Sequence, residues 1–271
     1  MRSQVLLRFG RFPLDRIGNG EIRVWVSELL AAGLSAATVR KAVFALRQCL
    51  GAAVADGRLA MNPALEVPLP SERQKSPCFL SRVEVEQLVE AMPPRYAALI
   101  LVGAYAGLRW GEAVGLRRRD IDITRSRIRV SHTAVEVRGR ITLDNLPKTT
   151  RSIRSVPVAR SVMRRLQDHL DNFVGPSGDD LVFAAAGGGP LFRSFSRTTL
   201  GPAVAAGGLP EITFHGLRHS FVAIMVAAGC NVREVSEWAG HNSAAFTLTR
   251  YGGLFEDGAD AAVDRLDALL A

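Results

Sequence analysis

The chain has 271 residues, 48% of them hydrophobic and 22% charged, with a formal net charge of +8. That composition supplies a packed globular core and excludes a disordered or low-complexity chain, while the basic excess points to a polyanionic partner. The longest apolar run, 96–108, suits a buried helix and is too short for a membrane span, and the N-terminus lacks the apolar stretch and cleavage site of a secretory signal.

In chain order, 25–33 reads as a helix. Ser35 is an N-cap for a second, in which Val39, Val43, Leu46, Leu50 and Val54 form an apolar stripe. Arg40, Lys41 and Arg47 are left for the other face and are the candidate DNA contacts of this segment. The proline-rich stretch 63–77 reads as a linker, so the chain divides into a helical domain, 1–62, and a larger domain, 78–271. Basic side chains exceed acidic ones in both parts. Residues 1–76 carry a net +5 and 77–251 a net +7, and only the tail 252–271 is acidic, at −4. That distribution suits a protein that holds nucleic acid between two domains.

Beyond the linker, Ser81 and Glu84 make a capping box that opens the next helix, and apolar helices continue to about 117. The segments at 127–137, 140–146 and 151–158 alternate as strands do and predict two hairpins of one small antiparallel sheet. Helices resume at 159–173, 194–206, 215–228, 232–239 and 243–251, and an amphipathic acidic helix is expected near 259–270. Fold class is therefore mainly α with a small antiparallel β-sheet (α+β). The cysteines, Cys49, Cys78 and Cys230, are three and widely spaced, which predicts reduced thiols serving as small buried hydrophobes in a cytoplasmic protein.

The stretch TFHGLRHSF, 213–221, holds two of the five histidines. His215 and His219, four apart, share a helix face, which admits a zinc reading. The position after His215 is Gly216, however, so the glutamate of an HExxH site is missing, and Arg218 would place a cation beside the metal. A purely structural histidine pair is a second reading. A third joins His215 and Arg218 near a helix N-terminus as a clamp for a phosphate.

Elsewhere, Arg109 follows a glycine turn with Glu112 one helical turn later, Lys148 stands between two strands, and Tyr251 follows His241 by ten residues. The ordered set Arg109, Lys148, His215, Arg218, His241 and Tyr251 resembles the tyrosine recombinase, or lambda-integrase-like phage integrase, family. The resemblance covers most of the chain: 78–271 looks like the catalytic domain with its tail helix, and 1–62 like a core-binding (SAM-like) domain lacking its first helices.

The resemblance implies a site-specific recombinase that cleaves and rejoins DNA through a 3′-phosphotyrosine, without metal or ATP. It makes Tyr251 the nucleophile, His215 its proton acceptor, Arg109 and Arg218 the binders of the non-bridging oxygens, His241 a further donor, and Lys148 the acid for the 5′ oxygen. Lysine is scarce here, three among 34 basic residues, and guanidinium is a poor acid, which fits Lys148 to proton donation. Glu112 is expected to orient Arg109, and His219 to support the site. Neither a Walker motif nor a dinucleotide glycine fingerprint is present, so no cofactor is expected. The partners implied are double-stranded DNA and further copies of the chain, a tetramer on DNA that starts from free monomers. A Xer-type or transposon recombinase, or a truncated DNA-binding protein, are the alternatives. Ala239 and Gly253 stand where many relatives have leucine and histidine.

Overall fold

The computed structural model describes residues 2–71, 78–145 and 153–256, together with 263, 267 and 270. The chain forms two compact units, Met1–Ser76 and Pro77–Ala271.

In the first unit, α1 (Arg2–Phe9), α2 (Asn19–Ala31) and α3 (Ala36–Ala55) enclose a core that includes Phe9, Trp25, Val39, Val43, Leu46 and Leu50. Phe9 meets Trp25 edge to face, with centroids 5.2 Å apart. Ser35 caps α3 through the Thr38 N–H. The segment after α3 is part of this unit, not free linker from residue 63: Ala64 and Val67 are buried. Arg47 holds it there. Its Nε donates to the Ala64 carbonyl at 2.8 Å and its Nη2 to those of Leu65 and Val67. A side chain expected to face DNA thus satisfies three backbone acceptors of its own unit. Arg40 and Lys41 are exposed.

The second unit is built on α5 (Pro94–Tyr105), whose apolar faces are covered by α4 (Arg82–Ala91), α7 (Arg160–Phe173) and α9 (Phe214–Ala227). The Ser81–Glu84 capping box forms as read, with the Ser81 N–H donating to Glu84 at 2.7 Å. Those hydrogen bonds hold the Glu84 carboxyl below its usual range. Helices α6 (Trp110–Val114), α8 (Gly201–Ala206), α10 (Val232–Ala239) and α11 (Ala244–Glu256) complete the helical part.

The strands differ from expectation. β1 (Ile121–Asp122), β2 (Arg127–Val130) and β5 (Arg154–Pro157) make one antiparallel sheet in the order β1-β2-β5. β3 (Thr133–Val137) and β4 (Arg140–Asn145) make a separate hairpin. The run 127–137 is therefore two strands. It breaks at Ser131 and His132, whose side chains bond each other at 2.9 Å. β2 turns Ile128 and Val130 into the core, whereas β3 is nowhere fully buried. Arg138 and Gly139, both at positive φ, form the tight turn of the β3–β4 hairpin.

The cysteines are free, as read, but not buried: Cys49 and Cys78 are exposed and Cys230 is half-buried. Lys148 lies outside the described residues, as does the expected tail helix apart from 263, 267 and 270. Among the described residues no helix is long and apolar enough to cross a membrane.

Candidate active site

Five of the six polar residues singled out in the sequence lie among the described residues, and all five are in the second unit. Arg109 is the N-cap of α6, reached through the turn that ends α5. Gly107 makes that turn possible. Its φ is +63°, and an added Cβ would stand 2.4 Å from the Phe221 ring of α9, so a side chain there fails on both conformation and space. The Gly107 carbonyl accepts a 2.7 Å hydrogen bond from Arg218 Nη1, which fixes the buried guanidinium of α9.

α9 begins at an N-cap, Thr213, whose hydroxyl accepts from the Gly216 N–H. His215 is thus in the first turn, with the positive end of the helix dipole beside it. Together with Arg109, Trp110, Phe214 and Glu136, His215 lines an open cavity of about 360 Å³. Trp110 itself packs on Phe195 and Phe214 and is part of the core edge.

Glu112 organises the cations. Its Oε2 receives the Arg109 backbone N–H at 2.8 Å and its Oε1 the Arg109 Nη1 at 2.8 Å. The same carboxylate takes both terminal nitrogens of Arg154, at 3.0 and 2.9 Å. The residue is buried, yet the guanidinium groups of Arg154 and Arg109 more than offset the desolvation and hold its carboxyl down at about 2. Arg154, from β5, also donates through Nε to the Trp238 carbonyl at 2.7 Å. Sequence reading did not single out Arg154. It is one of many arginines, and its partner is 42 residues away.

Gly240, at φ +65°, ends α10 and turns the chain toward His241. Its carbonyl accepts from Arg109 Nη2, and an added Cβ would come within 2.9 Å of Arg154 Nη1. This glycine therefore sits between two guanidinium groups. His241 is held by a 2.7 Å hydrogen bond between its Nδ1 and the Thr247 hydroxyl, and its ring stacks on Tyr251 at 8° with centroids 6.0 Å apart.

Tyr251, on α11, is buried with only 4% of its surface exposed, and its hydroxyl shares a hydrogen bond with His219 Nδ1. His215 meets the edge of the His219 ring, with centroids 5.0 Å apart. Burial raises the phenol pKa above its usual 10, and the charges of Arg218 and Arg250 offset this only in part. Burial pushes His219 down to about 4, helped by His215, Arg250 and Arg218. It also pushes His241 to about 3, with Arg218 and Arg109 adding to the effect. His215 is lowered by burial and by Arg218 and Arg109. All three rings are neutral at pH 7, while Arg218, lowered by burial to about 9, stays charged. An uncharged phenol thus faces neutral imidazoles beside buried and half-buried cations. No group of three or more metal-ligating side chains occurs among the described residues.

The helical scaffold thus brings a tyrosine, two guanidinium groups and neutral imidazoles into one region of the second unit. The chain belongs to the phage integrase family, whose model matches residues 79–256. A protein assigned as the integrase of prophage phiRv2 in Mycobacterium tuberculosis is 27% identical to it over 91% of this chain and 66% of its own length. The ICEBs1 integrase of Bacillus subtilis is 28% identical over 97% of this chain and 74% of its own. A XerC-like tyrosine recombinase of Caldanaerobacter subterraneus is 26% identical over 92% and 70%. This chain therefore spans only about two thirds to three quarters of the length of these relatives. Among solved structures, the integrase of transposon Tn1549 in complex with circular intermediate DNA superposes with a TM-score of 0.79 at 23% identity, over 96% of this chain and 88% of that one. A lambda integrase dimer bound to a core site superposes with a TM-score of 0.69 at 18% identity, over 90% and 86%. These likenesses show the fold.

Proposed function

We propose that this chain is a site-specific DNA recombinase of the integrase type. Tyr251 attacks a backbone phosphorus, a 3′-phosphotyrosine forms, the 5′ oxygen leaves as a hydroxyl, and a second 5′-hydroxyl reverses the step on a new strand. The bond energy stays in the phosphotyrosine, so joining needs no ATP. The observation that carries the reading is the buried Tyr251 hydroxyl bonded to His219, on the helix that also supplies Arg218.

Arg109 and Arg218 bind the non-bridging oxygens, whose charge grows in the transition state. His215 accepts the phenol proton, a role that rests on the family resemblance, and His241 adds a hydrogen bond to those oxygens. An arriving phosphate raises the pKa of the neutral His241 ring and makes it a better donor. Lys148 protonates the leaving 5′ oxygen, a role that rests on the family resemblance. Glu112 orients Arg109, and Arg154 holds Glu112.

The first unit serves as the core-binding domain, with the exposed Arg40 and Lys41 on phosphates, and the second as the catalytic domain. Copies of the chain assemble on DNA as a tetramer from free monomers. The exposed Val263 and Leu270, at 56% and 76%, support a tail that packs on another copy. The work takes place in the cytoplasm, on the DNA it recombines.

The test is covalent trapping on a pool of nicked duplexes with randomised cores, in which the cleaved strand loses its 5′ end and cannot rejoin. A protein–DNA adduct supports the reading. Binding without an adduct on any member of the pool overturns it.

A further inference from the structure

Thr247 joins His241 to the helix of Tyr251, and the strand-transfer reading leaves it without a role. Its side chain is fully buried. It lies four residues before Tyr251, which is buried too, so the two share the inner face of α11. Its Oγ1 stands 2.7 Å from His241 Nδ1, and this is the one hydrogen bond of that hydroxyl among the described residues. Thr249, two residues on, instead gives its hydroxyl to the Ala245 carbonyl of its own helix at 2.9 Å.

Counting hydrogens fixes the direction of the Thr247–His241 bond. The His241 ring is neutral at pH 7, because burial and the charges of Arg218 and Arg109 hold it at about 3. A neutral imidazole carries one N–H, on Nδ1 or on Nε2. With the hydrogen on Nδ1, that group would donate to Thr247, and the buried hydroxyl hydrogen would be left without an acceptor. With the hydrogen on Nε2, the hydroxyl donates to a bare Nδ1 and both groups are satisfied. Nε2–H then has no partner among the described residues and is free for a substrate.

Resting on the strand-transfer reading above, we propose that Thr247 is a positioning residue for His241. Its hydroxyl donates to Nδ1, which fixes the ring plane and keeps the single ring hydrogen on Nε2, to be given as a hydrogen bond to a non-bridging oxygen of the scissile phosphate. No proton is transferred in this step; the bond strengthens as charge builds on that oxygen. Because Thr247 and Tyr251 share one face of one helix, seating α11 brings in the nucleophile and aligns this donor together. The partner behind a metal-bound histidine is worth roughly 10–100-fold, and the same scale applies here.

The experiment measures single-turnover cleavage of a nicked duplex selected by the wild-type protein. The variants are Thr247→Ser, Thr247→Val, His241→Ala and the double variant Thr247→Val/His241→Ala. Valine keeps the shape and loses the hydroxyl, whereas serine keeps the hydroxyl. The expected loss is roughly 10–100-fold in Thr247→Val, with most of the rate retained in Thr247→Ser. Adding Thr247→Val to His241→Ala should cost nothing further, because the hydroxyl acts only through that ring. A merely structural threonine would slow both backgrounds alike. Nitrogen NMR of the wild-type rings at neutral pH, assigned by comparison with His241→Ala, reads the same claim without activity. It should show Nε2 of His241 protonated and Nδ1 as a bare acceptor.

Equal losses from Thr247→Val in the two backgrounds, a wild-type rate in Thr247→Val, or a ring hydrogen on Nδ1 each overturn the proposal and leave strand transfer intact. If Thr247→Val loses its folded melting transition, the wild-type nitrogen spectrum alone decides. Absence of any adduct from wild-type protein overturns the strand-transfer reading and this proposal with it.

Discussion

Glu112 accepts both terminal nitrogens of Arg154, at 3.0 and 2.9 Å, while the same carboxylate holds Arg109. Two guanidinium groups share one buried anion, so this part of the site keeps a net positive charge with a fixed geometry. Arg109 is the outer member, with 41% of its side chain exposed against 4% for Arg154. The inner arginine supports and the outer one faces substrate. Removing Arg154 leaves a buried carboxylate with one partner, a change that costs roughly 3–5 kcal/mol. Arg154→Ala should therefore lower the denaturant midpoint strongly and reduce cleavage, whereas Arg109→Ala should reduce cleavage by ~10²-fold or more with a smaller stability loss. Equal destabilisation by the two variants would refute the division.

The same network fixes an acid response. The Glu112 carboxyl sits at about 2 in the folded protein against an ordinary 4.5. A carboxyl lowered by folding contributes stability above its unfolded pKa and loses it as pH falls toward the folded value. The window here is about pH 4.5 to 2, and the contribution is on the order of 3 kcal/mol. Wild type should lose stability across that window faster than Glu112→Gln, as measured by urea unfolding at stepped pH. Parallel curves would show that Glu112 is not depressed.

Gly240 is held at φ +65° with Arg154 against the place a Cβ would occupy. Gly240→Ala should cost about 1–2 kcal/mol from the left-handed backbone alone and shift the carbonyl that receives Arg109. We expect a lower melting temperature together with roughly tenfold slower cleavage. An alanine variant that matches wild type in both would remove Gly240 from the account.

In the first unit the basic side chains should separate by function. Lys41→Ala should weaken DNA binding and lower the salt dependence of affinity by about one counterion, a slope change of ~0.9. Arg47→Ala should mainly destabilise the unit, because its guanidinium holds the carbonyls of Ala64, Leu65 and Val67. Fluorescence anisotropy across a salt series, paired with thermal melts, distinguishes the two. A large salt-slope change in Arg47→Ala without loss of stability would reverse the assignment.

Features set by neighbours in sequence were legible from the residues alone. The Ser35 cap and the Ser81–Glu84 capping box depend on contacts three residues apart, and they form as read. The ordered set from Arg109 to Tyr251 pointed to one site through its resemblance to a known family. Features set by tertiary placement were not legible. Arg154 looks like any strand arginine until β5 pairs with β2, with Arg154 opposite Val130, and its side chain meets Glu112. His215 and His219 have the same spacing logic, and only the position of α11 decides which one meets the phenol. Arg47 lies on the polar side of α3, but the chain doubles back over it and takes its donors. The alternation across 127–137 hid a break, because β3 leaves the first sheet to pair with β4.

The most direct measurement is peptide mapping of the trapped protein–DNA adduct by mass spectrometry after nuclease and protease digestion. The account predicts one modified peptide, carrying a nucleotide joined through its 3′ phosphate to the oxygen of Tyr251, and none in Tyr251→Phe. A 5′ linkage, or an adduct on another side chain that persists in Tyr251→Phe, would contradict it.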